Sequence, residues 1–303
     1  MAAKRFPTLG VSSNFLAIGP EISSFDGSAI VVLPAPYEHS VSYGGGTRRG
    51  PAGILKASHY VEFYDEEVDR ELCTDVGIAT LRPLEFGKRT GLKALAVIEG
   101  TVGAILDAGK FVVTLGGEHT ISAAPIRAHA VRYPDLCVLQ FDAHSDLRDS
   151  YQGSKQSHAS VMARVAEIVD PRRIIQVGIR AQCIEEAWFI RERGITTLYA
   201  HEIRQRVNET DWHDIVLGRL TGHVYVTFDV DGLDPSIMPS TGTPEPNGLF
   251  WSETMHLLRR VAERSTIVGC DVVELAPVRG VAHADLTAAK LVYKLMNYAF
   301  ENR

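Results

Sequence analysis

Six apolar runs punctuate the chain, at 29–34, 111–115, 136–141, 174–177, 224–228 and 267–273. Each is four to seven residues long, is dominated by Val, Ile, Leu and Phe, and lacks the alternation of a half-exposed strand. Such runs predict strands buried on both faces. Between them a longer period takes over. Leu92, Leu95, Ile98, Val102 and Ile105 recur at intervals of three and four, as do Leu286, Ala289, Val292 and Met296, with Asp285 a candidate cap for the second helix. Strands alternating with helices imply a parallel sheet covered on both sides, a three-layer α/β/α architecture. No composition break, low-complexity tract or internal repeat divides the chain, so 1–303 reads as a single domain. Residues 1–28 and the stretch 232–250 are its least regular parts.

Composition narrows the class without changing this picture. At 303 residues the chain exceeds the usual domain size, but doubly wound sheets and α/β barrels reach that length as one unit. A net charge of −6 argues against nucleic acid as a partner. Cys73, Cys137, Cys183 and Cys270 show no CxxC spacing, and two of them sit inside strand-like runs, which suits buried reduced thiols in a cytoplasmic protein. The opening Met1-Ala2-Ala3-Lys4-Arg5-Phe6-Pro7 leads into no apolar segment, and no run approaches the ~20 residues of a membrane span. No membrane partner is expected.

Two of the apolar runs end abruptly in acids. Leu136-Cys137-Val138-Leu139-Gln140 closes in Phe141-Asp142-Ala143-His144-Ser145-Asp146, and Val224-Tyr225-Val226 closes in Thr227-Phe228-Asp229-Val230-Asp231. Side chains two apart at a strand end project together. In a parallel sheet, ligands bind beyond the carboxyl ends of the strands. Two further strands deliver polar groups to that edge, one through Gly116-Gly117-Glu118-His119 and one through Glu274. Burying unpaired carboxylates costs several kcal/mol each, so cations are expected among them.

His119, Asp142, His144, Asp146, Asp229 and Asp231 form an oxygen-rich set with donors enough for two ions and no thiolate. Hard divalent cations suit it, Mn²⁺ first. A metal pair can bring the pKa of a shared water from ~15.7 toward ~7, and its balance against four carboxylates leaves the centre hospitable to a cationic substrate. Plainer readings stand beside this one. Asp229 and Asp231 alone describe a capped turn as well as a ligand pair. Gly116-Gly117 is followed by no Gly-Lys-[Ser/Thr], which excludes a P-loop. The stretch 43–51 looks anion-friendly but reads better as a loop entering a helix with Pro51 in its first turn. The remaining histidines, His39, His59, His129, His201, His213, His223, His256 and His283, show no partner pattern and default to packing or surface roles.

Gly-Gly-Glu-His at 116–119, Asp-Ala-His-Ser-Asp at 142–146 and Thr-Phe-Asp-Val-Asp-Gly-Leu-Asp-Pro at 227–235 resemble the three signatures of the ureohydrolases, the arginase and agmatinase family. The resemblance runs from about Val31 to Tyr298, and flanking stretches such as 46–51, 157–160, 242–246 and 271–277 are most similar to the agmatinase branch. It implies an arginase-like fold with its active site at the carboxyl ends of the strands. It also implies two Mn²⁺ per chain, with Ni²⁺ or Co²⁺ as alternatives. One ion would be held by His119, Asp142, Asp146 and Asp229, the other by His144, Asp142, Asp229 and Asp231. In the implied reaction a guanidino group is cleaved to urea and an amine. Asp146 would carry a proton to the leaving amine, His158 would exchange protons with bulk water, and Glu274 would hold the guanidinium. Homo-oligomers, trimers or hexamers, are implied as well.

Some positions depart from the family pattern or admit another reading. Glu118 stands where the family usually has aspartate, and Thr227 replaces a usual serine. His158 also reads as a helix-start residue packed by Ser157 and Ser160, and Glu274 as an ion-pair partner of Arg180. Residues 147–157 lack the Asn- and Ser-rich loop with which arginases grip an α-amino acid, which favours a decarboxylated substrate such as agmatine, yielding putrescine. Arg148 keeps 4-guanidinobutyrate in play, with arginine and guanidine as further alternatives. A metal-binding scaffold without activity is the reading from another class.

Overall fold

The computed structural model describes residues 6–205 and 212–301. The first five residues of the sequence, which carry most of the opening segment discussed above, lie outside the described residues. Eight strands form one sheet: β1 (Ile30–Ala35), β2 (Ile78–Thr80), β3 (Phe111–Gly116), β4 (Cys137–Phe141), β5 (Ile174–Ile179), β6 (Thr196–Tyr199), β7 (His223–Asp229) and β8 (Thr266–Val273). Their order is β2-β1-β3-β8-β7-β4-β5-β6, and every pairing is parallel. Helices α1 (Gly50–Ser58), α2 (Leu72–Val76), α3 (Leu92–Asp107), α4 (Ala123–Ala130), α5 (Val161–Val165), α6 (Ile184–Arg193), α7 (Ala200–Gln205), α8 (Trp212–Leu217), α9 (Trp251–Arg264) and α10 (Ala282–Ala299) complete it.

All six strands read from the sequence are present, each within two residues of its expected bounds. The two that were not expected, β2 and β6, are the edge strands. Three and four residues long, they offer too short an apolar run to announce themselves. The alternation of side chains then divides the core. Ile30 and Val32 pack toward α1, α9 and α10, while Val31 and Leu33 meet Leu95, Ile98, Val102 and Ile105 of α3 on the other face. Beyond α3, that second face is covered by Ile126 of α4, Val161 of α5 and Ile190 of α6. Both faces are dry, which is why these strands carry continuous apolar runs.

Pro51 takes its expected place in the first turn of α1. The proposed cap of α10 does not. The helix begins at Ala282 with Val281 in the cap position, so Asp285 lies one turn inside it, where burial pushes its carboxyl above the usual range. All four cysteines are unpaired, three of them buried, with Cys183 partly exposed at the start of α6. Among the described residues, no helix is long and apolar enough to cross a membrane.

One buried ionic contact fastens α10 to the loop before α2. Lys294 is 1% exposed, and its Nζ lies 2.7 Å from Asp65 Oδ1 and 3.1 Å from Glu67 Oε2. Tyr298 donates to the same Glu67. Removing the ammonium would leave a fully buried Asp65 without its counter-charge. Lys294→Ala is therefore expected to destabilise the fold by about 3–5 kcal/mol in a denaturant titration. A loss under about 1 kcal/mol would show that the acids find other compensation.

Candidate metal centre

The four central strands, adjacent in the order β3-β8-β7-β4, carry the chemistry at their carboxyl ends. β3 runs into Gly116-Gly117-Glu118-His119, β8 into Glu274, β7 ends on Asp229, and β4 is followed at once by Asp142. The turn after β3 needs glycine for lack of room. A Cβ on Gly117 would come within 2.0 Å of the Tyr37 carbonyl oxygen. Asp146 and Glu274 adopt φ of +53° and +64°, left-handed conformations that cost non-glycine residues free energy and persist where surrounding contacts enforce them.

Nδ1 of His119 lies 3.0 Å from Asp142 Oδ2, 3.0 Å from Asp146 Oδ2 and 3.4 Å from Asp229 Oδ2. Nδ1 of His144 lies 3.0 Å from Asp231 Oδ2 and 3.6 Å from Asp142 Oδ1. Two ligand clusters result, His119–Asp142–Asp229 and Asp142–His144–Asp231, each with its ligand atoms within 4.8 Å of one another. They share Asp142. All six residues read from the sequence as metal-ligating are thus brought together, five buried and His144 partly open.

Second-layer contacts aim these atoms. Thr227 donates its hydroxyl hydrogen to Asp271 Oδ1 at 2.7 Å, so its oxygen is free to accept from Nε2–H of His119 at 3.0 Å. That leaves Nδ1 as the atom offered to the carboxylates. Asp271, wholly buried, also accepts from Ser122 and Tyr225. Asp142 is oriented by a row of amides across the sheet: Gln140 Nε2 donates to its Oδ2 at 2.7 Å, and Gln176 Nε2 donates to Gln140 Oε1 at 2.7 Å. Backbone N–H groups of His144, Ala143 and Asp231 occupy one oxygen each of Asp142, Asp231 and Asp229.

The electrostatics are those of an anionic cluster short of counter-charge. Burial, then Asp231 and Asp142, pushes the Asp229 carboxyl well above the usual range. Burial and Asp142 push Asp146 up to about 7. Asp142 moves the other way: burial would raise it, but hydrogen bonds from the His119 and His144 rings prevail and hold it low. Those rings are correspondingly raised against the opposing effect of burial, His144 to about 12 through Asp231 and Asp142. Two imidazolium charges cannot match four carboxylates, and one hydrogen on His119 Nδ1 satisfies one of the three oxygens it faces. Divalent cations resolve both deficits, and an oxygen-rich, thiolate-free donor set fits them. The residues present fit a metal pair.

Glu274 does not pair with Arg180. Its Oε1 accepts the backbone N–H of His119 at 2.6 Å, and burial, with the charges of Glu118 and Asp231 adding to it, raises its carboxyl well above normal. Arg180 instead donates to the carbonyls of Asp231, Gly232, Leu233 and Glu245, fastening the irregular stretch after β7 beneath the site. His158 opens a short 3₁₀ turn at the rim, edge-on to Tyr151 at 5.7 Å, and burial lowers its pKa. His158 and Tyr151 border a cleft of about 320 Å³ that also exposes His144, Asp146, Arg148 and Ser42. That volume lies at the lower end of the range for small-molecule sites, ~300–1,000 Å³.

Sequence reasoning passed over Gln140, Gln176 and Asp271 as members of this assembly. Their signal was there: Gln140 and Gln176 are each a lone polar residue inside a fully buried strand, and Asp271 is the one charged residue of a strand buried everywhere but its first position.

Fold and site together define a class: α/β proteins whose paired carboxylate–imidazole clusters, at the carboxyl edge of a parallel sheet, can hold two divalent cations. The profile of the arginase family matches residues 28–297. The chain is 41% identical over 289 residues to the N(1)-aminopropylagmatine ureohydrolase of Synechocystis, covering 93% of this chain and 92% of that protein. It is 38% identical over 282 residues to the agmatinase of Bacillus cereus, covering 90% and 92% respectively. The crystal structure of agmatine ureohydrolase from Thermoplasma volcanium superimposes with a TM-score of 0.83 at 28% identity, covering 92% of each chain. This chain belongs to the arginase family.

The support given to His119 is open to measurement. Thr227→Val removes the acceptor for Nε2–H while keeping the side chain's shape. It is expected to weaken divalent-cation binding by about 10–100-fold in a calorimetric titration. Unchanged affinity would mean that the ring is held by packing alone.

Proposed function

We propose that this arginase-family enzyme, a ureohydrolase, splits the guanidino group of agmatine to give urea and putrescine. The observation that carries the reading is the convergence of His119, Asp142, Asp146 and Asp229 at one point and of Asp142, His144 and Asp231 beside it. His119, Asp142, Asp146 and Asp229 would hold one Mn²⁺ and His144, Asp142, Asp229 and Asp231 the other. When bound, such a pair supplies Lewis acidity that readies water to attack the guanidinium carbon.

The chain's own residues supply the rest. An amine leaves only when protonated, and Asp146, open to the cleft and strained in its backbone, is placed to hold that proton on a carboxylate oxygen. His158, half-buried at the rim, exchanges protons between the cleft and bulk water. Glu274, buried at the end of β8 with Oε1 taken by the His119 N–H, would hold the guanidinium through its remaining oxygen.

The mouth supports a cationic substrate over a guanidino acid. Arg148, the cation that a substrate carboxylate would need, lies over the Tyr151 ring and 3.9 Å from the Glu186 carboxylate, so its charge is already met. Agmatine has no carboxylate. N(1)-aminopropylagmatine, the substrate in the name of the 41%-identical relative, is the second reading and shares that property. The chain acts as one domain, in a cytoplasmic homo-oligomer, a trimer or hexamer.

A urea-release screen over agmatine, N(1)-aminopropylagmatine, arginine, 4-guanidinobutyrate and guanidine is expected to favour agmatine. A preference for either acid would overturn the reading of Arg148. Dialysis against a chelator is expected to abolish urea release and added Mn²⁺ to restore it. Activity that survives the chelator would make the carboxylate clusters structural. Asp146→Asn keeps the volume but removes both a metal ligand and the proton carrier, so kcat should fall by about 10²–10⁴-fold with the fold intact. Near-normal turnover would remove Asp146 from that role.

A further inference from the structure

Glu118 is wholly buried, and its carboxylate is engaged by a loop that crosses from β1. Its Oε2 accepts the backbone N–H groups of His39 and Ser40, each at 2.6 Å, and its Oε1 accepts the Ser40 hydroxyl at 2.9 Å. Ser40 Oγ donates to Oε1, so its one hydroxyl hydrogen is committed to Glu118. Ser40 Oγ is left as an acceptor, with the Thr120 hydroxyl 3.3 Å away able only to donate to it. His158 meets it twice, through its backbone N–H at 3.0 Å and through ring Nδ1 at 3.3 Å. Nδ1 must then carry the ring hydrogen. Nε2 keeps its lone pair, 3.3 Å from the exposed Ser42 hydroxyl, and both His158 and Ser42 line the cleft.

We propose that Glu118 is a positioning residue: acting through Ser40, it fixes the hydrogen of the neutral His158 ring on Nδ1 and presents Nε2 bare to the cleft. Which ring nitrogen is protonated is set by the partner of the other, and here that partner is itself held by a buried carboxylate. The hydrogen-bond direction runs one way, from Ser42 through the ring and Ser40 to Glu118. A bare Nε2 on the cleft side is the form that can take up a proton arriving from the reaction. The significance for turnover rests on the proton-exchanging role proposed above for His158. The tautomer itself does not.

Glu118→Gln offers a nearly isosteric reversal. The amide oxygen must stay with the N–H groups of His39 and Ser40, which turns the NH₂ toward Ser40 Oγ. Ser40 then donates to Nδ1, and the ring hydrogen moves to Nε2. The tautomer is read from ring ¹⁵N shifts of histidine-labelled full-length chain, metal-free and loaded with diamagnetic Zn²⁺, at mildly alkaline pH. The His158 signal is identified by its loss in His158→Asn.

Wild type is expected to show Nδ1–H, and Glu118→Gln predominantly Nε2–H. Ser40→Ala should release the ring to the Nε2–H form that an unconstrained imidazole prefers, and Ser40→Thr, which keeps the hydroxyl, should retain Nδ1–H. In urea-release assays Glu118→Gln and Ser40→Ala should lower kcat on the order of 10-fold with KM within about twofold, because neither group touches substrate. Should Glu118→Gln fail to fold, the two Ser40 variants decide. A wild-type ring protonated on Nε2, or a tautomer that none of the variants moves, would overturn the proposal and leave Glu118 as a pin for the loop. If the tautomer moves as described while His158→Asn turns over normally, the proton-exchanging role of His158 fails and the positioning by Glu118 stands.

Discussion

Four carboxylates held within reach of two imidazoles, at the dry end of a parallel sheet, form the constraint to which the rest of the structure answers. Like charges at such separations repel strongly in a medium that screens them poorly. Asp229 and Asp146 therefore resist ionisation, while His119 and His144 resist losing their protons. An arrangement that costs this much on its own fits cations in the space between these side chains. The protein's part is to keep these six side chains turned toward one another.

That task explains the polar residues threaded through an otherwise apolar sheet. Gln140 and Gln176 hold Asp142 by amides donated strand to strand, and Thr227 with Asp271 holds His119. Buried polar groups of this kind are tolerable only when each has its partner. The central strands pay for directional control of these side chains with these networks, whereas β1, one strand in from the edge, has no polar side chain to support. The left-handed conformations of Asp146 and Glu274 belong to the same economy of aim: backbone strain at a site is maintained by the contacts around it.

Around the centre, the loops are tied to the sheet by side chains rather than by ladders. Arg180 gathers four carbonyls of the stretch after β7, and Glu118 gathers the loop after β1. Both are charged groups whose hydrogen bonds to backbone are stronger than those between neutral partners. They give irregular segments a fixed geometry on which a cleft can be built, and the Glu118 contacts set Ser42 and, through Ser40, His158 about its mouth.

The amino-acid sequence by itself determined the layered α/β class, six of the eight strands and the six acidic and imidazole side chains that converge at the sheet edge. Those features are periodic or local: an apolar run that closes in Asp-x-His-x-Asp states both its burial and its purpose within eleven residues, 136–146. The edge strands β2 and β6 escaped because a strand of three or four residues carries almost no period. Only the tertiary structure decided that β3, β8, β7 and β4 lie side by side, since strand order depends on crossovers that leave no local mark. It alone showed that Glu274 receives the His119 amide rather than Arg180, and that Glu118 and Ser40 stand behind His158. Contacts between residues 78 or 155 positions apart are set by the packing of whole strands and loops, and no spacing along the chain records them.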